Sequence, residues 1–231
     1  MIAGFRGQIT LDGPSGTGKS SVARVVAARL GAAYLDTGAM YRAATVAVLD
    51  SGVDPEDAAA VARVVAAATI EVGTTAREEI VRVDGVDVAA RIRGAEVTRA
   101  VSAVSAVPAV RRQLVDQQRA LVEAAEAVVV EGRDIGTVVL PDATLKIYLT
   151  ASPEVRAQRR AAQLGVTDPD KIAALAADMR RRDEYDSRRA DSPLRPAEDA
   201  VTVDSTDMDK RAVVERILEL ARDAVPAGEQ S

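Results

Sequence analysis

The chain has 231 residues, of which 48% are hydrophobic and 28% are charged, and its formal net charge is -5. This composition is ordinary for one globular domain, and the negative charge argues against nucleic acid as a partner, so that any bound anion must be held by local groups. The absence of cysteine and histidine excludes disulfides, thiolate zinc sites and imidazole general bases.

The amino terminus, MIAGFRGQITL, has no long apolar signal core, and no run of about 18 apolar residues occurs along the chain. We therefore expect a cytoplasmic protein that does not bind a membrane. We also expect a monomer that folds as a single cooperative unit.

Strand patterns and helix patterns alternate along most of the chain, which predicts an α/β fold with a mainly parallel sheet covered by helices on both faces. The predicted strands are 8–11, 34–35, 127–130, 145–149 and 201–203. The predicted helices are 20–30, 40–49, 96–125 with a break at Pro108, 153–164, 172–189 and 210–224.

One segment departs from this alternation. Ile80, Val81 and Val83 precede Asp84-Gly85, a pair favoured in tight hairpins, and further valines follow at 86 and 88. The pattern predicts a small antiparallel insert between residues 70 and 88.

Residues 13–20 read GPSGTGKS and match the phosphate-loop pattern G-x-x-x-x-G-K-[ST] between a predicted strand and a predicted helix. The glycines let backbone N–H groups surround phosphate oxygens, Lys19 can reach the β and γ phosphates, and the Ser20 hydroxyl can bind Mg²⁺. The alternative is that these residues form only a flexible surface turn. That interpretation does not explain why the complete phosphate-loop pattern occurs between a predicted strand and a predicted helix. The predicted ATP-binding residues are Gly13, Pro14, Ser15, Gly16, Thr17, Gly18, Lys19, Ser20 and Ser21.

A phosphate loop alone does not separate a switch GTPase, a motor ATPase and a small-molecule kinase. The chain contains neither the N-K-x-D sequence that reads guanine nor a D-x-x-G switch sequence. Instead, DTGAMYR at 36–42 and EGRD at 131–134 follow predicted strands, where open α/β sheets bind ligands.

The motifs GPSGTGKS, DTGAMYR, SAVSAVPAVR, EGRDIGTVVLPDA, RRRDEYDSRRADSPL and VDST occur in this order, and as a set they resemble bacterial cytidylate kinases. The resemblance covers nearly the whole chain. It implies a three-layer fold of the P-loop nucleoside monophosphate kinases, with a five-stranded parallel core sheet, an antiparallel insert that closes over CMP and a short lid. The implied single domain spans 1–231: the core takes roughly 1–66, 98–151 and 167–225, the insert 67–97, the lid 152–166 and a flexible tail 226–231.

The resemblance further implies that Mg²⁺ and ATP serve a transfer of the γ-phosphoryl group to CMP or dCMP. Arg42, Arg133 and Arg182 would hold the CMP phosphate, since guanidinium forks suit phosphate. Ser102, Arg111 and Asp134 would read cytosine, and Arg189 would orient or neutralise Asp134. Asp186 would accept hydrogen bonds from the ribose hydroxyls, and Tyr41 would pack near the nucleotide. The residues implied for CMP are Thr37, Tyr41, Arg42, Ser102, Arg111, Arg133, Asp134, Arg182, Asp186 and Arg189.

Charge stabilisation is the chemistry that phosphoryl transfer needs most, and the acceptor phosphate oxygen is already anionic, so no strong base is required. We predict Lys19, Arg156 and Arg160 as catalytic residues, with Asp36 orienting a metal-bound water. The lid also carries Arg159, and spacing alone does not decide which arginine faces ATP. Glu131 stands where some relatives have aspartate. It retains the charge, and the sequence does not fix how far its longer side chain extends into the site.

Each of these residues also has a simpler interpretation. The lid arginines would then form a solvated helix face, Asp186 and Arg189 a surface pair, Asp36 a helix cap, and Glu131 and Asp134 solubilising loop residues. The competing functions are a nucleotide switch and a kinase for another acceptor, such as shikimate or a different nucleoside monophosphate.

Overall fold

The computed structural model describes residues 5–189 and 191–224 and contains two compact units. The first unit takes the residues up to Ala32 and those from Glu126 onward, and the second unit is Ala33–Ala125. The predicted tail at 226–231 lies outside the described residues. The predicted limits of the insert and the lid remain predictions.

Eight strands and eight α-helices lie within the described residues. The strands are β1 Gly7–Asp12, β2 Ala33–Asp36, β3 Ile70–Val72, β4 Val81–Val83, β5 Val86–Asp87, β6 Ala127–Glu131, β7 Leu145–Thr150 and β8 Val201–Asp204. The helices are α1 Lys19–Leu30, α2 Thr37–Asp50, α3 Ala58–Ala67, α4 Ala95–Ala106, α5 Pro108–Glu123, α6 Pro153–Leu164, α7 Pro169–Ser187 and α8 Lys210–Asp223. A 3-10 turn at Arg91–Arg93 and a π-helical segment at Ile135–Val139 complete them.

The larger sheet has five strands in the order β2, β6, β1, β7, β8. Strand β1 pairs in parallel with β6 and β7, so that Leu11 lies opposite Glu131 and Asp12 opposite Tyr148. Strand β6 carries three consecutive buried valines, as expected for a parallel strand covered on both faces. This register brings the loops after β1 and β6 to the same edge of the sheet.

Large apolar side chains from strands and helices form the core of each unit. In the first unit, Ile9, Leu149 and Ile217 are fully buried, and each such side chain contributes about 1.5–3 kcal/mol relative to exposure. In the second unit, Met40 and Ile92 are likewise fully buried.

The predicted α/β fold with a five-stranded parallel sheet is confirmed. The antiparallel insert is confirmed as well, because β3, β4 and β5 form a separate three-stranded antiparallel sheet. Asp84 and Gly85, with φ values of 49° and 79°, make the left-handed turn between β4 and β5. Among the described residues, no helix is long and apolar enough to cross a membrane.

Helix α3 was not predicted, although its sequence contains a usable signal. The Asp57 carboxylate caps α3 by accepting from the N–H groups of Ala59 and Ala60, while Val61 and Val65, four residues apart, are buried. The predicted start of α2 at Met40 was three residues late. The helix begins at Thr37 because the Asp36 carboxylate caps it.

Candidate active site

The phosphate loop, residues 13–20, needs glycine for both conformation and space. Gly13, Gly16 and Gly18 have φ values of 144°, 77° and 91°, which L side chains rarely adopt. A Cβ at Gly13 would lie 2.0 Å from the Leu149 carbonyl oxygen, and one at Gly16 would lie 2.9 Å from the Arg156 carbonyl oxygen. The loop therefore packs tightly against the end of β7 and against α6.

Lys19, the first residue of α1, folds back over the phosphate loop. Its Nζ donates to the carbonyl oxygens of Gly13 at 2.7 Å and Pro14 at 2.8 Å. Burial lowers the pKa of Lys19 to about 8, with a further decrease from Arg133 that Glu131 opposes. The ammonium group thus remains charged at neutral pH and lies where a phosphate bound by the loop would meet it.

The side chains of Ser20, at the end of the loop, and Glu131, at the end of β6, contact each other. The Ser20 Oγ donates to the Glu131 Oε2 at 3.0 Å, and Glu131 is only 3% exposed. This contact establishes the reach of Glu131 and contradicts the interpretation of this residue as a solubilising loop residue. A hydroxyl beside a buried carboxylate is an oxygen set that suits Mg²⁺ once nucleotide phosphates add further ligands.

Thr17 in the loop and Ser21 directly after it are held by short-range hydrogen bonds. The Thr17 Oγ1 donates to the Pro14 carbonyl oxygen at 3.2 Å, and the Ser21 Oγ donates to the Gly18 carbonyl oxygen at 2.9 Å. These bonds stabilise the curled backbone that the sequence pattern predicts.

Asp183, which the sequence analysis did not single out, joins the phosphate loop to helices α6 and α7. Both the backbone N–H and the Oγ of Ser15 donate to its Oδ1, at 3.2 and 3.1 Å. Arg156 forms an ion pair with the same carboxylate and donates to the Ser15 carbonyl oxygen at 3.0 Å. The Arg133 guanidinium lies 3.5 Å from Asp183.

Asp186 lies at the centre of three arginines and is 1% exposed. Its carboxylate is 2.9 Å from the Nε of Arg133, 2.5 Å from the Nη2 of Arg189 and 4.0 Å from the Nε of Arg182. The interpretation of Asp186 and Arg189 as a surface pair is therefore wrong. Buried charges of this kind hold the arginines in fixed orientations.

Replacing Asp186 with alanine would leave these arginines facing one another without a counter-charge. We expect Asp186→Ala to lower the free energy of unfolding by about 3–5 kcal/mol, as measured by urea denaturation. The exposed neighbour Glu184 supplies the control variant, Glu184→Ala, which should change it by less than about 0.5 kcal/mol. Equal effects of the two substitutions would contradict a structural role for the Asp186 ion pairs.

The arginines of α6, for which a lid role was predicted, do not form a uniform solvated face. Arg156 is 7% exposed, and its Nε donates to the Ala151 carbonyl oxygen at 3.1 Å. Arg159 donates to the carbonyl oxygens of Thr17, Ser205 and Met208 at 3.4, 2.7 and 3.1 Å. Arg160 donates to the Gln163 Oε1 at 3.3 Å on its own helix. The structure thus adds Arg159 to the groups beside the phosphate loop, whereas the catalytic role of Arg160 remains a prediction.

Asp12, the last residue of β1, is a second buried carboxylate that sequence reasoning missed. It accepts from the N–H groups of Ile135 at 2.9 Å and Gly136 at 2.7 Å. Burial raises the pKa of Asp12 to about 6; the two N–H bonds oppose this increase, and nearby Asp134 adds to it. Its position directly before GPSGTGKS is the one sequence signal that could have drawn attention to it.

Because the raised pKa favours the protonated form in the folded state, ionisation of Asp12 costs stability as the pH rises from about 4 to above 6. A pKa difference of about 2 corresponds to about 3 kcal/mol. We expect the free energy of unfolding, wild type minus Asp12→Asn, to fall by up to that amount between pH 4 and pH 7. Urea denaturation at several pH values measures this difference, and a pH-independent difference would contradict the assignment.

In the second unit, Asp36 caps α2 by accepting from the Ala39 N–H at 2.9 Å. Burial raises the pKa of this carboxyl, while the Ala39 N–H and the charges of Arg93 and Arg42 lower it. The capping interpretation is therefore confirmed, and the predicted role on a metal-bound water remains a prediction.

Among the other predicted residues of the second unit, the structure brings Arg111 and Tyr41 together. The Nη1 of Arg42 donates to the Ile92 carbonyl oxygen at 2.9 Å and to Thr98 Oγ1 at 3.1 Å. The guanidinium of Arg111 lies 5.3 Å from the centre of the Tyr41 ring, within cation–π range. Arg111 also donates to the Ser105 carbonyl oxygen at 3.3 Å, and the Ser105 Oγ donates to the Ser102 carbonyl oxygen at 3.2 Å. Thr37 is buried in the first turn of α2.

The sequence matches known proteins over nearly its whole length. The family model described as cytidylate kinase matches residues 9–223. A cytidylate kinase of Rhodococcus jostii strain RHA1 is 56% identical over 96% of this chain and 97% of its own length, and one of Nocardia farcinica is 53% identical over 95% of each chain.

Among solved structures, a gluconokinase from Sinorhizobium meliloti 1021 is similar in fold, with a TM-score of 0.52 and 18% identity over 95% of this chain and 94% of that one. At this identity the likeness concerns the fold alone. The sequence matches, by contrast, span nearly the whole chain at more than half identity, and the family model's range includes the phosphate loop and Asp186. The chain belongs to the cytidylate kinase family.

Proposed function

We propose that this protein transfers the γ-phosphoryl group of ATP to CMP or dCMP and releases ADP with CDP or dCDP. The observation that carries the proposal is the arrangement around the phosphate loop of the first unit. There Lys19, Arg133 and Arg156 lie near the loop of a chain that belongs to the cytidylate kinase family.

The donor half of the reaction rests on the phosphate loop. Its N–H groups and Lys19 would bind the β and γ phosphates, and Ser20 with Glu131 would hold Mg²⁺ together with the nucleotide. When bound, Mg²⁺ supplies charge neutralisation at the phosphate oxygens. Arg156, with Arg160 as a further candidate, would stabilise negative charge as the bond between the γ phosphorus and its bridging oxygen breaks.

The acceptor half rests on arginines and carboxylates. Arg42, Arg133 and Arg182 would hold the CMP phosphate, whose anionic oxygen forms the new bond to the γ phosphorus without a general base. Asp186 orients Arg133 in the structure, and in the complex we assign the same carboxylate a role at the ribose hydroxyls. The remaining residues proposed for CMP are Thr37, Tyr41, Ser102, Arg111, Asp134 and Arg189.

We further propose that residues 67–97 and 152–166 act as the CMP-binding insert and the lid, because closure over both nucleotides would exclude water as a competing acceptor. We also propose a monomer that works in the cytoplasm on these small-molecule substrates, with neither nucleic acid nor membrane as a partner.

A coupled assay of ADP release with a panel of acceptors tests the proposal. The panel contains CMP, dCMP, UMP, AMP, GMP, shikimate, gluconate and no acceptor. We expect rapid ADP release only with CMP and dCMP. Release that does not depend on the acceptor would favour a nucleotide switch, and a different best acceptor would identify a different kinase.

A further inference from the structure

The backbone directly after Arg133 and Asp134 is held in place by one buried side chain, that of Asp12. Immediately after β6, the Gly132 N–H donates to the Leu11 carbonyl oxygen at 3.0 Å, which continues the pairing of β6 with β1. Beyond that bond the chain leaves the sheet: Asp134 has φ -142° and ψ 24°, and the π-helical segment Ile135–Val139 begins. The first N–H groups of any helical segment lack partners within the segment.

The Asp12 carboxylate supplies these partners. Its Oδ1 accepts from the Ile135 N–H at 2.9 Å and its Oδ2 from the Gly136 N–H at 2.7 Å. Asp12 is 5% exposed, and hydrogen bonds to an ionised acceptor are stronger than neutral ones. Two consecutive N–H groups on one carboxylate leave the backbone after Asp134 little freedom.

Because Gly136 has no side chain, its backbone can approach the Asp12 carboxylate closely. A Cβ at Gly136 would lie 3.0 Å from the Thr10 Oγ1, 3.3 Å from the Lys146 Cδ and 3.4 Å from the Asp12 Oδ2. A larger residue would have to displace the neighbours or itself, and it would thus loosen the contact with Asp12. The contact between Asp12 and the backbone at 135–136 therefore depends on two features, the Asp12 carboxylate and the absence of a side chain at position 136.

We propose that Asp12 is a positioning residue for the acceptor nucleotide. Its carboxylate fixes the backbone at Ile135 and Gly136 so that Arg133 and Asp134, directly before them, meet CMP in one orientation. This inference rests on the proposed function, in which Arg133 holds the CMP phosphate and Asp134 reads cytosine. Asp12 acts through the backbone of these residues and contacts neither substrate itself.

Asp12→Asn tests the proposal with almost no change in volume. The amide keeps one acceptor oxygen, but its NH₂ group then faces a backbone N–H, so one of the two bonds is lost. We expect the KM for CMP to rise at least about tenfold, the factor that a net loss of one charge-assisted hydrogen bond produces. The KM for ATP should change less than about threefold, because the loop that binds ATP keeps its own bonds.

Asp142→Asn is the matched control, since Asp142 is exposed and follows the same segment. It should leave both KM values unchanged. Thermal unfolding of each variant shows whether it folds. Should Asp12→Asn fail to fold, Gly136→Ala serves as the second variant. It disturbs the contact between Asp12 and the backbone at 135–136 by adding a methyl group at position 136, and it must give the same selective increase in the KM for CMP.

The outcomes separate this inference from the function on which it rests. A wild-type protein without CMP-dependent ADP release overturns both. A wild-type protein with such release, combined with an unchanged KM for CMP or an equal rise in both KM values in the folded variant, overturns the positioning role alone. A selective increase in the KM for CMP supports it.

Discussion

Replacement of Lys19 with alanine is expected to lower kcat by about 100-fold to 1,000-fold, the range found when one group that stabilises transition-state charge is removed. The Nζ of Lys19 lies within 2.8 Å of two loop carbonyl oxygens, and in the proposed reaction it would stabilise the charge that develops on the transferring phosphate. The fold should tolerate the change, with a Tm within about 4 °C of the wild type, because only two hydrogen bonds to the loop are lost. Steady-state kinetics and thermal unfolding measure the two effects.

The exposed Lys171, at the start of α7, provides the control for this substitution. Lys171→Ala removes the same charge from the chain and should leave kcat unchanged. Near-normal turnover in Lys19→Ala would show that the ammonium group takes no part in the chemical step. A large loss in both variants would point instead to a general effect of net charge.

The second large effect that we expect is a strong preference of the protein for CMP over UMP. The Asp134 carboxylate can accept a hydrogen bond from the exocyclic amine of cytosine. Uracil has a carbonyl at that position, so two acceptors would face each other with no hydrogen bond between them. Buried groups left unpaired reject a wrong substrate strongly, so we expect kcat/KM for UMP to lie at least about 100-fold below that for CMP. Kinetics with the two nucleotides at fixed ATP measure the ratio.

Asp134→Asn should reduce this discrimination, since an amide can turn its NH₂ group toward the uracil carbonyl. We expect the ratio of CMP to UMP activity to fall at least about tenfold, mainly through a loss with CMP. Asp142→Asn again serves as the control and should keep the wild-type ratio. Equal use of UMP and CMP by the wild-type protein would contradict the role of Asp134.

Local sequence patterns predicted most of the fold because they depend on neighbours in the chain. The strand into GPSGTGKS, the Asp84-Gly85 turn and the break before Pro108 each reflect local preferences, and the structure contains all three. Helix α3 was missed because an alanine-rich run gives little contrast between its buried and exposed faces.

The candidate site was predicted only in part, since several of its contacts join distant segments. Asp183 is 168 residues from Ser15, and Asp12 is 124 residues from Gly136. No local pattern reports such pairs; the register of β1 with β6 and the packing of α7 on the loop create them. The same reason explains why spacing could not decide which arginine of α6 faces the phosphate loop; in the structure, Arg156 and Arg159 contact it.

Direct identification of the products gives the sharpest test of the central claim. In a ³¹P NMR experiment with ATP, Mg²⁺ and CMP, we expect the wild-type protein to form CDP and ADP in equal amounts, and Lys19→Ala to form almost none in the same time. Formation of ADP and inorganic phosphate without CDP, or equal CDP formation by both proteins, would contradict phosphoryl transfer to CMP at this phosphate loop.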